Sequence, residues 1–154
     1  MKVSVVSGGF DPIHSGHIAY LNAAKEQCDR LIVALNSDAW LAKKKGQPFM
    51  PFEERKIILE NLSCVHEVID FKDDKLGSCI NALISIKQKY PNEHIIFCNG
   101  GDRNDSNIPE MRVPNIEFKF SIGGEDKKNS SSWILKNWLG DTEAVSYTHL
   151  RAHE

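Results

Sequence analysis

The stretch Ser7-Gly8-Gly9-Phe10-Asp11-Pro12-Ile13-His14-Ser15-Gly16-His17 decides the fold. It joins an apolar run, Val3 to Val6, to an amphipathic one that begins at Ile18. Strand, glycine-bearing loop and helix start, in that order, bring backbone N–H groups and the positive end of a helix dipole to one point. That is where an anion such as phosphate is held. Gly8 and Gly9 let the backbone approach the anion without an intervening side chain, and Gly16 does the same between the histidines. His14 and His17, at i and i+3, stand where the phosphate would sit. They offer it ring N–H donors, with positive charge when protonated. As half of a metal site the two lack company, because no further Cys, His or carboxylate lies at ligand spacing.

Outward from this loop, strand and helix patterns alternate to the end of the chain. Residues 3–7 predict a buried strand, and residues 16–27 a helix with Ile18, Leu21, Ala24 and Cys28 at helical period. Residues 30–36 are a continuous apolar strand, the pattern of a strand covered on both faces. Ser37-Asp38 read as the cap of a short turn, and Lys43-Lys44-Lys45-Gly46-Gln47-Pro48 as a basic loop. Pro51 opens a helix with Glu53 and Glu54 in its first turn and an apolar face of Phe52, Ile57, Ile58 and Leu62. A strand at 67–71, a helix at 79–90 and a strand at 94–98 follow, the last running into Asn99-Gly100-Gly101-Asp102. A strand at 116–121 and a helix opened by Ser130-Ser131-Ser132 and running through 138 complete the series. The pattern specifies an α/β fold: a Rossmann-like, doubly wound, parallel five-stranded sheet with helices on both faces. Ligands of such sheets bind beyond the carboxyl ends of the strands, at the switch point in strand order. The polar loops that follow the strands all fall on that edge.

The totals agree with a single ordinary domain. The 154 residues are 41% hydrophobic and 26% charged, with a formal charge of -2. Neither a nucleic-acid nor a membrane surface is indicated. No apolar run approaches the ~20 residues of a membrane span. The strand-like start leaves no room for a signal peptide, so a cytoplasmic protein is expected. Cys28, Cys64, Cys79 and Cys98 are widely spaced and form no CxxC pair, as expected of buried free thiols in a reducing compartment. Residues 1–140 form the expected domain. Residues 141–154 lack any periodicity, and from Val145 onward they back-translate to a string that looks like a transposase-type sequencing adapter. The expectation is read-through of library DNA beyond about Ala144.

The segment Gly-Gly-Phe-Asp-Pro-Ile-His14-Ser-Gly-His17 resembles the HxGH signature of the cytidylyltransferase-like nucleotidyltransferase superfamily. The resemblance implies in-line attack by an acceptor's phosphate oxygen on the α-phosphorus of a nucleoside triphosphate, with pyrophosphate leaving. Residues 29–38 and 52–59 are similar to the branch of glycerol-3-phosphate cytidylyltransferase and heptose-1-phosphate adenylyltransferase. In that branch a loop lysine, best matched by Lys44, contacts phosphate, and an arginine at the Arg55 position helps bind nucleotide. Asn99-Gly100-Gly101-Asp102 resembles the branch's nucleotide-lining Gly-Gly-Asp or Gly-Asp-Asp turn, and Ser130, Ser131 and Ser132 its triphosphate-holding helix start. The resemblance therefore implies His14, His17 and Lys44 as catalytic, and Gly8, Gly9, Phe10, Gly16, Arg55, Gly101, Asp102 and Ser130 to Ser132 as nucleotide-binding. Asp11 is expected to orient acceptor or metal, with loop capping as the alternative. Mg²⁺ would be carried by the triphosphate, the acceptor would be a small phosphorylated molecule, and a homodimer is implied only by the resemblance. The arginine-bearing segment of the family is absent before Ser130, where Lys127 and Lys128 stand instead. Two alternatives stay open: a nucleotide-binding sensor or assembly module without turnover, and a nicotinate-mononucleotide or pantetheine-phosphate adenylyltransferase.

Overall fold

The computed structural model describes residues 1–101, 108–123 and 131–140. Five strands form one sheet: β1 (Lys2–Gly8), β2 (Arg30–Leu35), β3 (Glu67–Ile69), β4 (His94–Cys98) and β5 (Glu117–Lys119). Between and after them lie α1 (Ser15–Lys25), α2 (Asp38–Lys45), α3 (Phe52–Glu60), α4 (Ile80–Lys89), a 3-10 turn at Pro109–Arg112, and α5 (Ser131–Leu139). The strand order is β3-β2-β1-β4-β5 and every pairing is parallel, the Rossmann-like doubly wound sheet that the alternation predicts.

β1 is central because its side chains are apolar on both faces. Val3 and Val5 join Ile32, Ala34, Ile95 and Phe97 in a core closed by Ala82, Leu83 and Ile86 of α4. Val6 joins Leu31, Val33, Ile96 and Cys98 in a second core closed by Leu21 and Ala24 of α1. Successive residues of each strand thus enter opposite layers. Leu21 is wholly buried, and burial of such a side chain contributes roughly 1.5–3 kcal/mol. The chain proceeds from β1 outward to β3, then returns to set β4 against the other side of β1. The loops leaving β1 and β4 therefore diverge and open a crevice at their carboxyl ends.

The lysine run departs from expectation. Lys43, Lys44 and Lys45 are the last turn of α2 rather than a loop. The Ser37 side chain caps that helix by accepting from Trp40 N–H at 3.0 Å. Asp38 at the start and the lysines at the end both suit the helix dipole. Gly46, at φ +95°, ends it in a conformation that disfavours other residues. On α3 the apolar face is also rotated from the expected one: Ile57 is 54% exposed, whereas Leu59 and the charged Arg55 are buried. β3 and β5 are shorter than the apolar runs suggest. All four cysteines are free, Cys79 and Cys98 buried and Cys28 and Cys64 half-buried. Among the described residues no helix is long and apolar enough to cross a membrane. Residues 141–154, including the stretch from Val145 onward expected to be adapter read-through, lie outside the described residues.

Candidate active site

Helix α1 starts with two histidines in place of the usual hydroxyl or carboxylate cap. His14, with extended backbone, accepts at Nδ1 from Gly16 N–H (3.1 Å). His17 returns the arrangement, its Nδ1 accepting from His14 N–H (3.2 Å). This reciprocal pair is a capping box that satisfies two helix-start donors. An Nδ1 that accepts carries no proton, so in the neutral ring the proton sits on Nε2. The two rings stack at 3.8 Å between centroids, 23° from parallel, and Phe10 abuts His17 at 4.8 Å. Burial lowers both ring pKa values, and for His17 burial plus repulsion from His14 bring it down to about 3. At neutral pH the pair is therefore two uncharged Nε2–H donors at a helix N-terminus, not the two cations that protonation would give.

The loop carrying them is braced from behind. The side chain of Asp11 is 1% exposed, and both its oxygens are engaged. They accept from Phe49 N–H (2.6 Å) and Met50 N–H (2.7 Å), and Lys45 Nζ sits 2.9 Å away. Lys45 also donates to the Asp11 carbonyl at 2.6 Å. Asp11 thus ties the 46–50 segment and α2 to the β1 loop. Arg55 does the same on a larger scale. Its guanidinium, without exposed surface, donates to the carbonyls of Met50 (2.9 Å), Gly9 (3.0 Å) and Asn36 (2.8 Å), and to Asp38 Oδ1 (2.6 Å). It lies behind the loop and does not line the cavity, whereas the resemblance implies a nucleotide-binding role for it. Gly9 is tightly hemmed: a Cβ there would fall 2.7 Å from Leu41 Cδ2 on α2.

In front of the loop lies a cavity of about 720 Å³. His14, Gly16, His17, Gly8, Gly9, Phe10 and Asp11 line one part of it. Lys44 reaches it from α2, with Nζ 4.9 Å from the centroid of the Trp40 ring. Gly101 lines it after β4, and Ser131 and Ser132 bring the start of α5, where Ser131 Oγ donates to the Pro12 carbonyl at 2.8 Å. Asp102 and Ser130, and with them Lys127 and Lys128, lie outside the described residues.

Several wall residues escaped sequence reasoning. Trp40 closes the α2 side, its Nε1 donating to the Gly77 carbonyl (3.0 Å). Tyr20 closes the α1 side, its hydroxyl donating to the Cys98 carbonyl (2.6 Å). Glu110, 2% exposed, accepts from Cys79 N–H (2.9 Å) at the start of α4. Asn36 ends its strand at the cavity, as does Asn99, which the sequence itself places in the turn after β4. A signal existed for the last two, since each is the polar residue that terminates an unbroken apolar run. For Trp40 and Glu110 the sequence carried none.

A doubly wound sheet whose switch-point cavity combines a helix N-terminus, paired imidazole donors and a lysine is the architecture of a nucleotidyltransferase-like enzyme. The Cytidylyltransferase-like family matches residues 5–118, and the chain belongs to it. Among relatives, the Bifunctional protein HldE of Enterobacter sp. (strain 638) is 38% identical over 112 residues, covering 66% of this chain and 24% of that one. The Bifunctional protein HldE of Shigella sonnei (strain Ss046) is 47% identical over 75 residues, 47% of this chain and 16% of that one. The chain thus spans under a quarter of the length of these relatives. In fold it is similar to a lipopolysaccharide core biosynthesis protein from Thermoplasma volcanium GSS1, with a TM-score of 0.63 and 21% identity. That alignment covers 84% of this chain and 99% of that one.

Proposed function

We propose that the protein transfers CMP or AMP from CTP or ATP to a small phosphorylated acceptor, a sugar 1-phosphate or glycerol 3-phosphate. An acceptor phosphate oxygen attacks the α-phosphorus, the bond from that phosphorus to the bridging oxygen of the β-phosphate breaks, and pyrophosphate leaves. The observation that carries this reading is the pair of Nε2–H donors held at the α1 N-terminus by the histidine capping box.

Phosphoryl-type transfer asks a protein mainly for alignment and for donors aimed where charge accumulates. His14 and His17 meet that need without moving a proton, hydrogen-bonding α- and β-phosphate oxygens. A bound triphosphate also draws their pKa values upward, so the rings gain positive charge as the anion arrives. Lys44 adds a point charge to the phosphates. Ser131 and Ser132 offer hydroxyl and N–H donors at the start of α5. Among the described residues no group of three His, Cys, Asp or Glu side chains is placed to hold a metal. We take Mg²⁺ to arrive on the triphosphate, where it would neutralise phosphate charge. The reaction belongs in the cytoplasm, where its triphosphates are.

The test is pyrophosphate release over a matrix of four nucleoside triphosphates against glycerol 3-phosphate, several sugar 1-phosphates, nicotinate mononucleotide and phosphopantetheine. Release with CTP or ATP that depends on a sugar phosphate or glycerol 3-phosphate is expected. Triphosphate binding with no release under any acceptor would overturn the reading in favour of a nucleotide sensor.

A further inference from the structure

The carboxyl edge of the sheet changes character on the α4 side. Along β4, Ile95 and Phe97 enter the core closed by α4, and Ile96 and Cys98 the core closed by α1. The period of two carries Asn99 to the α4 side. On β1, Ser7 follows Val3 and Val5 to that side, two residues past the last β1–β4 pair, Val5↔Phe97. Asn36 follows Ile32 and Ala34 in the same way on β2. The three central strands thus end in a row of uncharged polar residues that line the cavity, across the sheet from the helix bearing His14 and His17.

Asn99 differs from the rest of the row. It is 2% exposed, and its Nδ2 is buried with no hydrogen-bond partner. Its backbone is fixed, N–H donating to the Lys119 carbonyl (2.8 Å) and the carbonyl accepting from Ile122 N–H (2.9 Å). A buried amide donor left unpaired is unfavourable and uncommon in folded proteins. At a cavity wall, an arriving oxygen atom would remove that deficit. The amide is neutral, so it suits a hydroxyl or carbonyl oxygen more than a phosphate, for which His14, His17 and the start of α5 supply donors on the α1 side. In the reaction proposed above the triphosphate would run between the starts of α1 and α5, where His14, His17, Ser131 and Ser132 line the cavity. In-line attack brings the acceptor from the side opposite the departing pyrophosphate, which leaves it the α4 side.

We infer that Asn99 determines acceptor specificity: its Nδ2 donates to an uncharged hydroxyl oxygen on the body of the phosphorylated acceptor. The body is thereby held on the α4 side while its phosphate faces the histidines. The inference rests on the transfer reaction proposed above.

Steady-state kinetics of Asn99→Leu, which removes the donor at similar volume, and of Asn99→Asp, which presents an oxygen in its place, test it. The acceptor KM rises about tenfold in the first and further in the second, while the triphosphate KM stays within about twofold. An acceptor lacking the contacted hydroxyl is penalised about tenfold by the wild type and no further by Asn99→Leu. Asn99→Leu is at least as heat-stable as the wild type, and Asn99→Asp carries the test if the leucine variant does not fold. An unchanged acceptor KM in the folded variants, or a rise confined to the triphosphate KM, overturns the inference alone. A wild-type protein that turns over no acceptor overturns the transfer reading and this inference with it.

Discussion

Replacing Arg55 separates a scaffold from a ligand. The guanidinium bonds three backbone carbonyls, from Gly9, Asn36 and Met50, and one carboxylate oxygen of Asp38. Asp38 is 46% exposed, so solvent screens that contact and about 1 kcal/mol is a generous figure for it. The three carbonyl bonds have a charged donor, each worth about 1.5 kcal/mol before non-additivity, and truncation leaves their acceptors without partners. Arg55→Ala therefore costs about 4 kcal/mol, a large share of the 5–15 kcal/mol typical of whole domains. For a chain of this size that corresponds to roughly 8–16 °C in melting temperature. Arg55→Lys costs about half as much, because an ammonium donates from one point and cannot span carbonyls supplied by three separate segments. Urea unfolding, with the midpoint shifting at constant slope, measures both, and titration with CTP and ATP reads nucleotide affinity in the folded variants. Loss of under about 1 kcal/mol together with abolished nucleotide binding would refute the scaffold argument and return Arg55 to the ligand role.

Three further outcomes follow from the loop. His17→Ala lowers turnover roughly 10²-fold with the fold intact, as for loss of one preorganised donor; rates near wild type in a pyrophosphate assay would remove His17 from the mechanism. Because the folded pKa of His17 is about 3 against an ordinary 6.5, the unfolded chain takes up a proton across that interval and the native one does not. Stability should fall as pH drops from about 6.5 towards 3, and His17→Gln should flatten the decline in melting temperature over that range. Asp11→Asn leaves one oxygen for two backbone donors and removes the carboxylate charge facing Lys45, a loss of about 2–3 kcal/mol. It should also speed proteolysis within residues 46–50, and an unaltered cleavage rate would show that the clamp is dispensable.

The fold was legible because both of its signals are local. The β1 run, the glycines and the two histidines lie within one stretch, and the strand at 94–98 is bounded by polar residues at each end. The lysine helix was not legible for an equally local reason: α2 buries only Leu41. A helix with one apolar contact has no period to detect, and its cap and dipole charges are weaker cues than a run of like charges. Arg55 was unreadable for the opposite reason. Burial of a charge depends on carbonyls contributed by residues 9, 36 and 50, which converge only after the sheet has formed. The polar strand ends Asn36 and Asn99 fall between these cases, since the period of two places them on one face once the strands are known.

The histidine cap also selects a tautomer. Each ring gives Nδ1 to the first turn of α1 and so carries its neutral-form proton on Nε2, and the other tautomer requires that turn to loosen. The proton's place on each ring is thus fixed by the same bonds that begin the helix. This sets a trap for stabilisation: Ser or Asp at position 14 is the better cap by ordinary preference. A search for heat resistance would select that change, and the sturdier helix would have lost half of its paired donors.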